Sequence, residues 1–229
     1  IREMIASGEY IGWDDPRLIT LQALARRGII RESYYELVKK IGLSKSQTQL
    51  DFSLIAAVNR SLLDKSAKRF FAVRHPVEIR VVSIPVSLTE FHLAFHPHGE
   101  KGERKLAVTT NYYVEQEDLD RIEVGGMARF MDAMNVRRVD ADTFAFVSES
   151  YEDYTKIKDS TPIIHFVPND GNQVHAQVLL PDTSTIDVVC EMNVSRLIVG
   201  DVIQFERYAF CRLDEVRGDG KRVFWFTHE

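Results

Sequence analysis

The chain has 229 residues, 45% hydrophobic and 28% charged, with a formal net charge of −5, which suits a soluble globular protein with one large or two small cores. No apolar run approaches the ~20 residues that a membrane span needs, and the N-terminal IREMIASGEY lacks the continuous apolar core of a secretory signal. Only two cysteines, Cys190 and Cys211, are present, so a disulfide framework is excluded and buried free thiols are expected. The first residue is Ile rather than Met, and the chain is expected to be a piece of a longer protein.

Charge is unevenly spread. Residues 1–76 carry 13 Lys and Arg against 8 Asp and Glu, a balance of +5, while the remainder carries 16 against 26, a balance of −10. A basic first third before an acidic remainder suggests two modules. The first third reads as helical. Residues 1–6 form a short helix ended near Gly8. Residues 19–27 carry apolar positions at 21, 24 and 25, with Arg26 and Arg27 in the last turn and Gly28 just past it, the expected stop chemistry. A helix over 31–41 places Tyr34, Leu37, Val38 and Ile41 on one face, with Gly42 as its stop. Another begins after Asp51, an N-cap residue, and runs through FSLIAAVNRSLLDKSA.

Near Phe70 the texture changes to strand-like alternation. Strands are expected over 77–84, 90–95, 104–108, 111–114, 126–133, 135–140, 143–148, 162–167, 173–180, 185–190, 201–205, 208–213 and 222–227, with helical turns only at 115–119 and 193–197. Many short strands at regular spacing point to barrels or a sandwich. The fold class is therefore α+β: a helical N-terminal subdomain followed by an all-β region.

Three constellations could carry chemistry. His92, His96 and His98 have a spacing open to metal, but a strand would have to run through Pro97 to bring them together, and no fourth ligand is near. Asp14 and Asp15 could do acid–base or metal work. In a Gly-Trp-x-x-Pro turn they more simply cap backbone amides, with Arg17 as ion-pair partner. Lys101, Arg104, Lys105, Gln204, Arg207 and Arg212 lie on or beside strands, where Arg and Gln can read exposed base edges; the alternative is a solvated barrel rim. No nucleophilic triad, Walker loop or dinucleotide-binding glycine motif is present.

GWDDPRLITLQALARRGI, Gly12 to Ile29, is similar to a G-W-D-D-P-R-x-P-T-x-x-x-L-x-R-R-G block of archaeal and eukaryotic-type glutamyl-tRNA synthetases, shared with glutaminyl-tRNA synthetases. Ile19 stands where that block has Pro. VNRSLLDKSAKRFFAVRHPV, Val58 to Val77, resembles the glutamyl branch, with Lys65 and His75 departing from its Pro and Asp. Phe95–Pro97 with Arg104, GGMARFMDAMNV, IIHFVPND (Phe166 in place of Trp), VGDVIQFERYAFCRLD and the final FTHE resemble further blocks in the same order. GLSKS, Gly42–Ser46, looks like the KMSKS loop of class I synthetases, but a polar loop between helices is preferred because no nucleotide-binding sheet precedes it.

The resemblance implies a piece of an archaeal-type synthetase whose catalytic domain, with its ATP and Mg²⁺, lies outside the chain; no cofactor, catalytic residue or metal is expected here, and no activation of glutamate. It implies a connecting helical subdomain at 1–72, a proximal anticodon-binding β-barrel built from 73–108 plus 190–229, and a distal one at 109–189. The partner would be tRNA, for glutamate and in the alternative also for glutamine, in the cytoplasm, with other synthetases as further associates. The rivals are a glutaminyl-tRNA or non-discriminating synthetase and a free-standing RNA-binding module. By motif position Arg104, Gln204 and Arg207 would contact the anticodon, followed by Arg129 and Asn135. Trp13, Asp14, Asp15, Pro16 and Arg17 would form a structural joint, with Trp13 and Pro16 packing it.

Overall fold

Helix ends are set by local chemistry at the start of the chain. The computed structural model describes residues 1–42, 51–98, 101–156 and 161–229, and GLSKS lies almost wholly outside them. Helices α1 (Arg2–Ala6), α2 (Leu21–Arg27), α3 (Arg31–Ile41) and α4 (Phe52–Leu63) come first. The Thr20 hydroxyl caps α2 by accepting from the Ala23 amide at 3.1 Å. Gly28 closes α2 at φ 102°, a left-handed angle that glycine adopts without steric cost. Asp51 stands at the N-cap of α4, yet its carboxylate accepts from the Ser53 hydroxyl at 3.1 Å and caps no amide. Leu24, Ile29, Leu37, Ile55 and Val58 bury their side chains together.

The strands follow: β1 (Arg69–Phe70), β2 (Ala72–Arg74), β3 (Pro76–Val82), β4 (Glu90–Ala94), β5 (Glu103–Ala107) and β6 (Asn111–Glu115), then helix α5 (Gln116–Asp120). Next come β7 (Met127–Phe130), β8 (Asn135–Arg138), β9 (Thr143–Ser148), helix α6 (Tyr151–Lys156), β10 (Ile163–Ile164), β11 (Val167–Pro168), β12 (Val174–Leu179) and β13 (Thr185–Cys190). A 3₁₀ turn at Met192–Arg196 precedes β14 (Val202–Phe205), β15 (Ala209–Val216) and β16 (Arg222–His228). The two expected helical turns are α5 and the 3₁₀ turn. Helix α6 is not among the expected elements, because YEDYTK has no apolar period to announce it.

The chain divides into two compact units, one of residues 1–68, 177–186 and 198–229, the other of 69–176 and 187–197. In the first, β14 and β16 flank β15, both antiparallel to it. Phe205 and Phe224 meet at 4.9 Å between ring centroids.

The second unit is built on a seven-stranded sheet in the order β10-β7-β8-β9-β3-β6-β11. Its two ends, Ile164 and Val167, are three residues apart in the chain, a span of about 10 Å at most, so the sheet curls back on itself. Strand β3, expected beside the strands of 190–229, is hydrogen-bonded to β6 and β9. Its inward residues Ile79 and Val81 are buried, and the register sets Val77 opposite Val114 and Ile79 opposite Tyr112, so one apolar face is shared across the pair.

Phe166 sits at the centre of this unit. It stacks on Phe130 at 4.8 Å and 25° and meets Tyr112, Phe91 and Phe71 at 5.6, 5.7 and 5.5 Å. It also occupies the two-residue link between β10 and β11, where the sheet closes on itself. Phe166→Ala is expected to lower the unfolding free energy of the protein by about 3–5 kcal/mol, measured from the shift in urea midpoint.

Candidate nucleic-acid interface

The WDDPR stretch builds a turn rather than an open carboxylate pair. Asp15 is buried and its two oxygens accept from the Ile11 amide at 3.0 Å, the Arg17 amide at 3.0 Å, and Arg17 Nε and a terminal guanidinium nitrogen, both at 2.8 Å. These bonds, led by those from the Arg17 side chain, hold the Asp15 carboxyl well below the usual carboxylate range against the opposing effect of burial. Pro16 is buried beside it. Trp13 departs from the expected packing role: it is 42% exposed and contributes its carbonyl, which accepts from the Thr20 hydroxyl.

Asp14 points the other way. It accepts from Arg26 at 2.7 Å, and Arg26 forms a two-pronged pair with Asp214 of β15 at 3.0 and 2.7 Å. The Arg26 guanidinium lies 4.2 Å from the Trp225 ring centroid. Asp214 also accepts from Arg212 at 3.0 Å, so Arg212 is engaged at this joint.

Next in sequence, Arg27 is buried and donates to the Phe226 and Thr227 carbonyls at 3.3 and 3.1 Å, while the Thr227 hydroxyl donates back to the Arg27 carbonyl. Burial pulls the Arg27 guanidinium down to about 10. A Cβ on Gly28 would stand 2.7 Å from Thr227 Oγ1, so close approach, as well as the positive φ, demands glycine there.

A residue that carries no sequence expectation, Asn59, completes this joint. Its Oδ1 accepts from the Ile30 amide at 2.9 Å and the Ser33 hydroxyl at 2.7 Å. Its Nδ2 lies 3.3 Å from the Gly28 carbonyl, to which it donates, and 2.9 Å from His228 Nε2. An amide nitrogen can only donate, so His228 Nε2 is the acceptor and Nδ1 carries the proton toward the Glu229 carbonyl, 3.1 Å away. His228 is thus held as the neutral ring, and burial lowers its pKa below 6.5.

The five residues expected at the anticodon fall into different situations. Arg104 is 3% exposed. It pairs with the fully buried Glu191 at 3.0 Å and donates to the Ala94 carbonyl. Glu191 also accepts from the Phe71 amide at 2.9 Å and Asn193 Nδ2 at 3.1 Å. This corrects the expectation for Arg104: the side chain cross-links β5 to the 190s and has no face toward solvent. Asn135 is also fully buried. Its Oδ1 accepts from Arg129 at 2.9 Å, and its Nδ2 donates to Ser148 Oγ and the Ser150 carbonyl at 2.9 and 2.8 Å. It therefore positions Arg129 and is unavailable to a base.

Gln204 lies on β14, on the opposite face from the buried Ile203 and Phe205. Its Oε1 is buried with no hydrogen-bond partner. It lines a cavity of about 580 Å³ with Ala57, Arg60, Ser61, Asp64, Phe210 and Glu229. Arg207 is exposed in the short β14–β15 link at φ 61°.

Elsewhere, His96 is buried with its ring 5.1 Å from that of His98, and His92 lies 3.0 Å from Glu90. No helix among the described residues is long and apolar enough to cross a membrane.

Two consecutive stretches, residues 67–150 and 149–214, match the anti-codon binding domains of class I tRNA synthetases (E and Q), and residues 1–65 match the catalytic domain of the same class. The chain belongs to the glutamyl and glutaminyl class I tRNA synthetase family. It is 38% identical to a glutamate–tRNA ligase of Methanobrevibacter smithii over 99% of its own length and 40% of that protein. It is also 38% identical to one of Methanothermobacter thermautotrophicus over 100% and 39%, and 35% identical to one of Pyrococcus abyssi over 100% and 40%. It spans about two-fifths of the length of these relatives. The catalytic-domain match takes in the helices of the first unit, so the synthetase family counts the WDDPR–RRG block within that domain rather than after it.

The joint carries a pH dependence whose sign follows from His228. Its folded pKa is lowered from 6.5, so the unfolded chain binds the proton more readily, and stability falls as pH drops through and below that value. Urea midpoints between pH 8 and 5 are expected to decline on the acid side, and His228→Gln, whose amide oxygen can still accept from Asn59, is expected to flatten that decline.

Proposed function

We propose that this chain supplies tRNA docking and anticodon reading to a glutamate–tRNA ligase, which joins glutamate to its tRNA in the cytoplasm using ATP and Mg²⁺. The observation that carries the reading is the unpaired buried Oε1 of Gln204 on a cavity of about 580 Å³, within a chain matched to anticodon-binding domains over 67–150 and 149–214. A buried acceptor without a donor is costly in the free protein. An uncoiled RNA loop can supply the missing donor, because its bases present Watson–Crick edges. The anticodon of a glutamate tRNA has a central uracil, whose N3–H lies between two carbonyls, and a carboxamide offers the matching acceptor and donors. Arg207, three residues on, adds a planar fork suited to a carbonyl edge or a phosphate.

The pair Asp14–Asp15 does not fit an Mg²⁺ site, because Asp15 is spent on Arg17 and Ile11, and Asp14 on Arg26. In this reading the ATP and Mg²⁺ chemistry is assigned to other parts of such a ligase. The glutamyl reading is favoured over the glutaminyl one by the VNRSLLDKSAKRFFAV block and by the glutamate–tRNA ligases among the relatives. In this reading the curled sheet of the second unit and the β14–β16 strands of the first correspond to the two barrels.

Gln204→Ala and Arg207→Ala are each expected to weaken binding of the cognate anticodon stem-loop by about 1–3 kcal/mol, measured by filter binding at fixed salt. Affinities equal to wild type would remove both residues from the interface.

A further inference from the structure

Helix α6 buries none of its own residues, yet it is firmly held. Ser150 Oγ accepts from the Asp153 amide at 3.3 Å, and the Tyr154 hydroxyl donates to the Thr161 carbonyl at 3.0 Å. A helix that adds nothing to the core, yet has a capped first turn and a side-chain tie from Tyr154 to Thr161, holds its remaining side chains at the surface.

What it presents is Tyr151, whose side chain leaves the residue 59% exposed. Its ring has two close neighbours. Tyr154 lies 5.5 Å away at 37° between ring planes, and the Arg129 guanidinium carbon lies 5.3 Å from the Tyr151 centroid and 5.9 Å from that of Tyr154. Arg129 is 5% exposed, and its hydrogen bonds go to neutral acceptors, Asn135 Oδ1 at 2.9 Å and the Glu149 carbonyl at 3.3 Å. Asp132 acts on it only at longer range. Arg129 is therefore a buried cation held by neutral oxygens and two phenol rings rather than by a hydrogen-bonded carboxylate.

We propose that the exposed part of the Tyr151 ring is a stacking platform for one unpaired base of a single-stranded RNA loop, with Tyr154 and Arg129 as the neighbours that hold it. The proposal rests on the anticodon-binding role above and extends it to a residue that the sequence motifs do not mark. A cation beside the ring draws electron density from it, which favours an electron-rich base as the stacking partner. Holding the ring in advance reduces the ordering cost of binding. The sequence around Tyr151 is acidic, with Glu149, Glu152 and Asp153, the last paired to Lys156 at 3.3 Å. An acidic surrounding disfavours phosphate, so the ligand group that fits is the base.

The test uses the whole 229-residue chain and a stem-loop RNA carrying a glutamate tRNA anticodon. Tyr151→Ala is expected to weaken binding roughly ten-fold or more, the effect of one lost base–aromatic stack, with an unchanged dependence of affinity on salt because no phosphate contact is lost. Tyr151→Trp is expected to bind within about three-fold of wild type and to show added tryptophan emission that is quenched as RNA saturates the protein, beyond the change seen for wild type. The platform is overturned if Tyr151→Ala binds as wild type does, if its salt slope is reduced, or if the emission added by Tyr151→Trp ignores saturating RNA. Failure of the wild-type chain to bind the stem-loop at all would be a different result: it would overturn the anticodon-binding role itself, and the platform with it.

Discussion

The first unit depends on three consecutive residues, Arg26, Arg27 and Gly28, which end helix α2 against strands β15 and β16. Each does a different task. Arg26 ties the Asp14 turn to Asp214, Arg27 donates to main-chain carbonyls of Phe226 and Thr227, and Gly28 lets the backbone come within reach of the Thr227 hydroxyl. Helix C-termini expose unpaired carbonyls, and the Gly28 carbonyl is one of them. Asn59 satisfies it and links it to His228. A helix end, a helix interior and a strand end are thus joined by a polar network in which every Asn59 hydrogen-bonding group has a partner. Such networks specify one arrangement when complete and are costly when one member is removed. That is why a residue pattern resembling an active site, two aspartates beside two arginines, is here a mechanical coupling.

The second unit handles its two buried arginines in opposite ways. Arg104 faces Glu191 at 3.0 Å, and the remaining capacity of that carboxylate is filled by Phe71 and Asn193. The pair is closed, and either partner alone would leave an uncompensated charge, a loss of about 3–5 kcal/mol in comparable cases. Arg129 has no such carboxylate. Burial pulls its guanidinium below its ordinary value, and aromatic rings with neutral oxygens stand in for the counter-charge. A closed pair is self-contained; a buried cation left to aromatic partners instead polarises the exposed Tyr151 ring beside it.

How much of this is legible in the sequence depends on the range of the interaction. Helices α2 and α3 are readable because their stops, Arg26-Arg27-Gly28 and Gly42, are local. The strands are readable wherever apolar residues alternate, as in β3. The same alternation carries the correction for Arg104: it shares a strand face with Leu106, and both are buried. Two residues of spacing could have shown that it points inward, but its partner Glu191 is 87 residues away, and no local pattern marks such a pair. Asn59 is similar. An asparagine inside the apolar run LIAAVNRSLL is a visible anomaly, but its meaning comes from His228, 169 residues on. Trp13 is less legible: a large aromatic in a turn suggests packing, yet it is 42% exposed and its bond to Thr20 is made by its carbonyl.

Gln204 and Arg207 are two residues at which β14 and the link after it carry a local cost. In β14 the period-two pattern puts Ile203 and Phe205 in the core and turns Gln204 to the other face, where its acceptor is buried without a partner. Asparagine and glutamine amides in folded proteins are ordinarily satisfied, so an orphan in a cavity is a cost with no return inside the chain. Arg207 has a positive φ of 61°, in a region where glycine would be strain-free and other residues bear about 1 kcal/mol or more. Stability alone would favour glycine at 207 and an apolar or hydroxyl side chain at 204. Two local costs three residues apart, on one strand and the link that follows it, mark a place where the chain departs from the most stable choice, and the anticodon reading proposed above is one in which an RNA loop would answer the first of them.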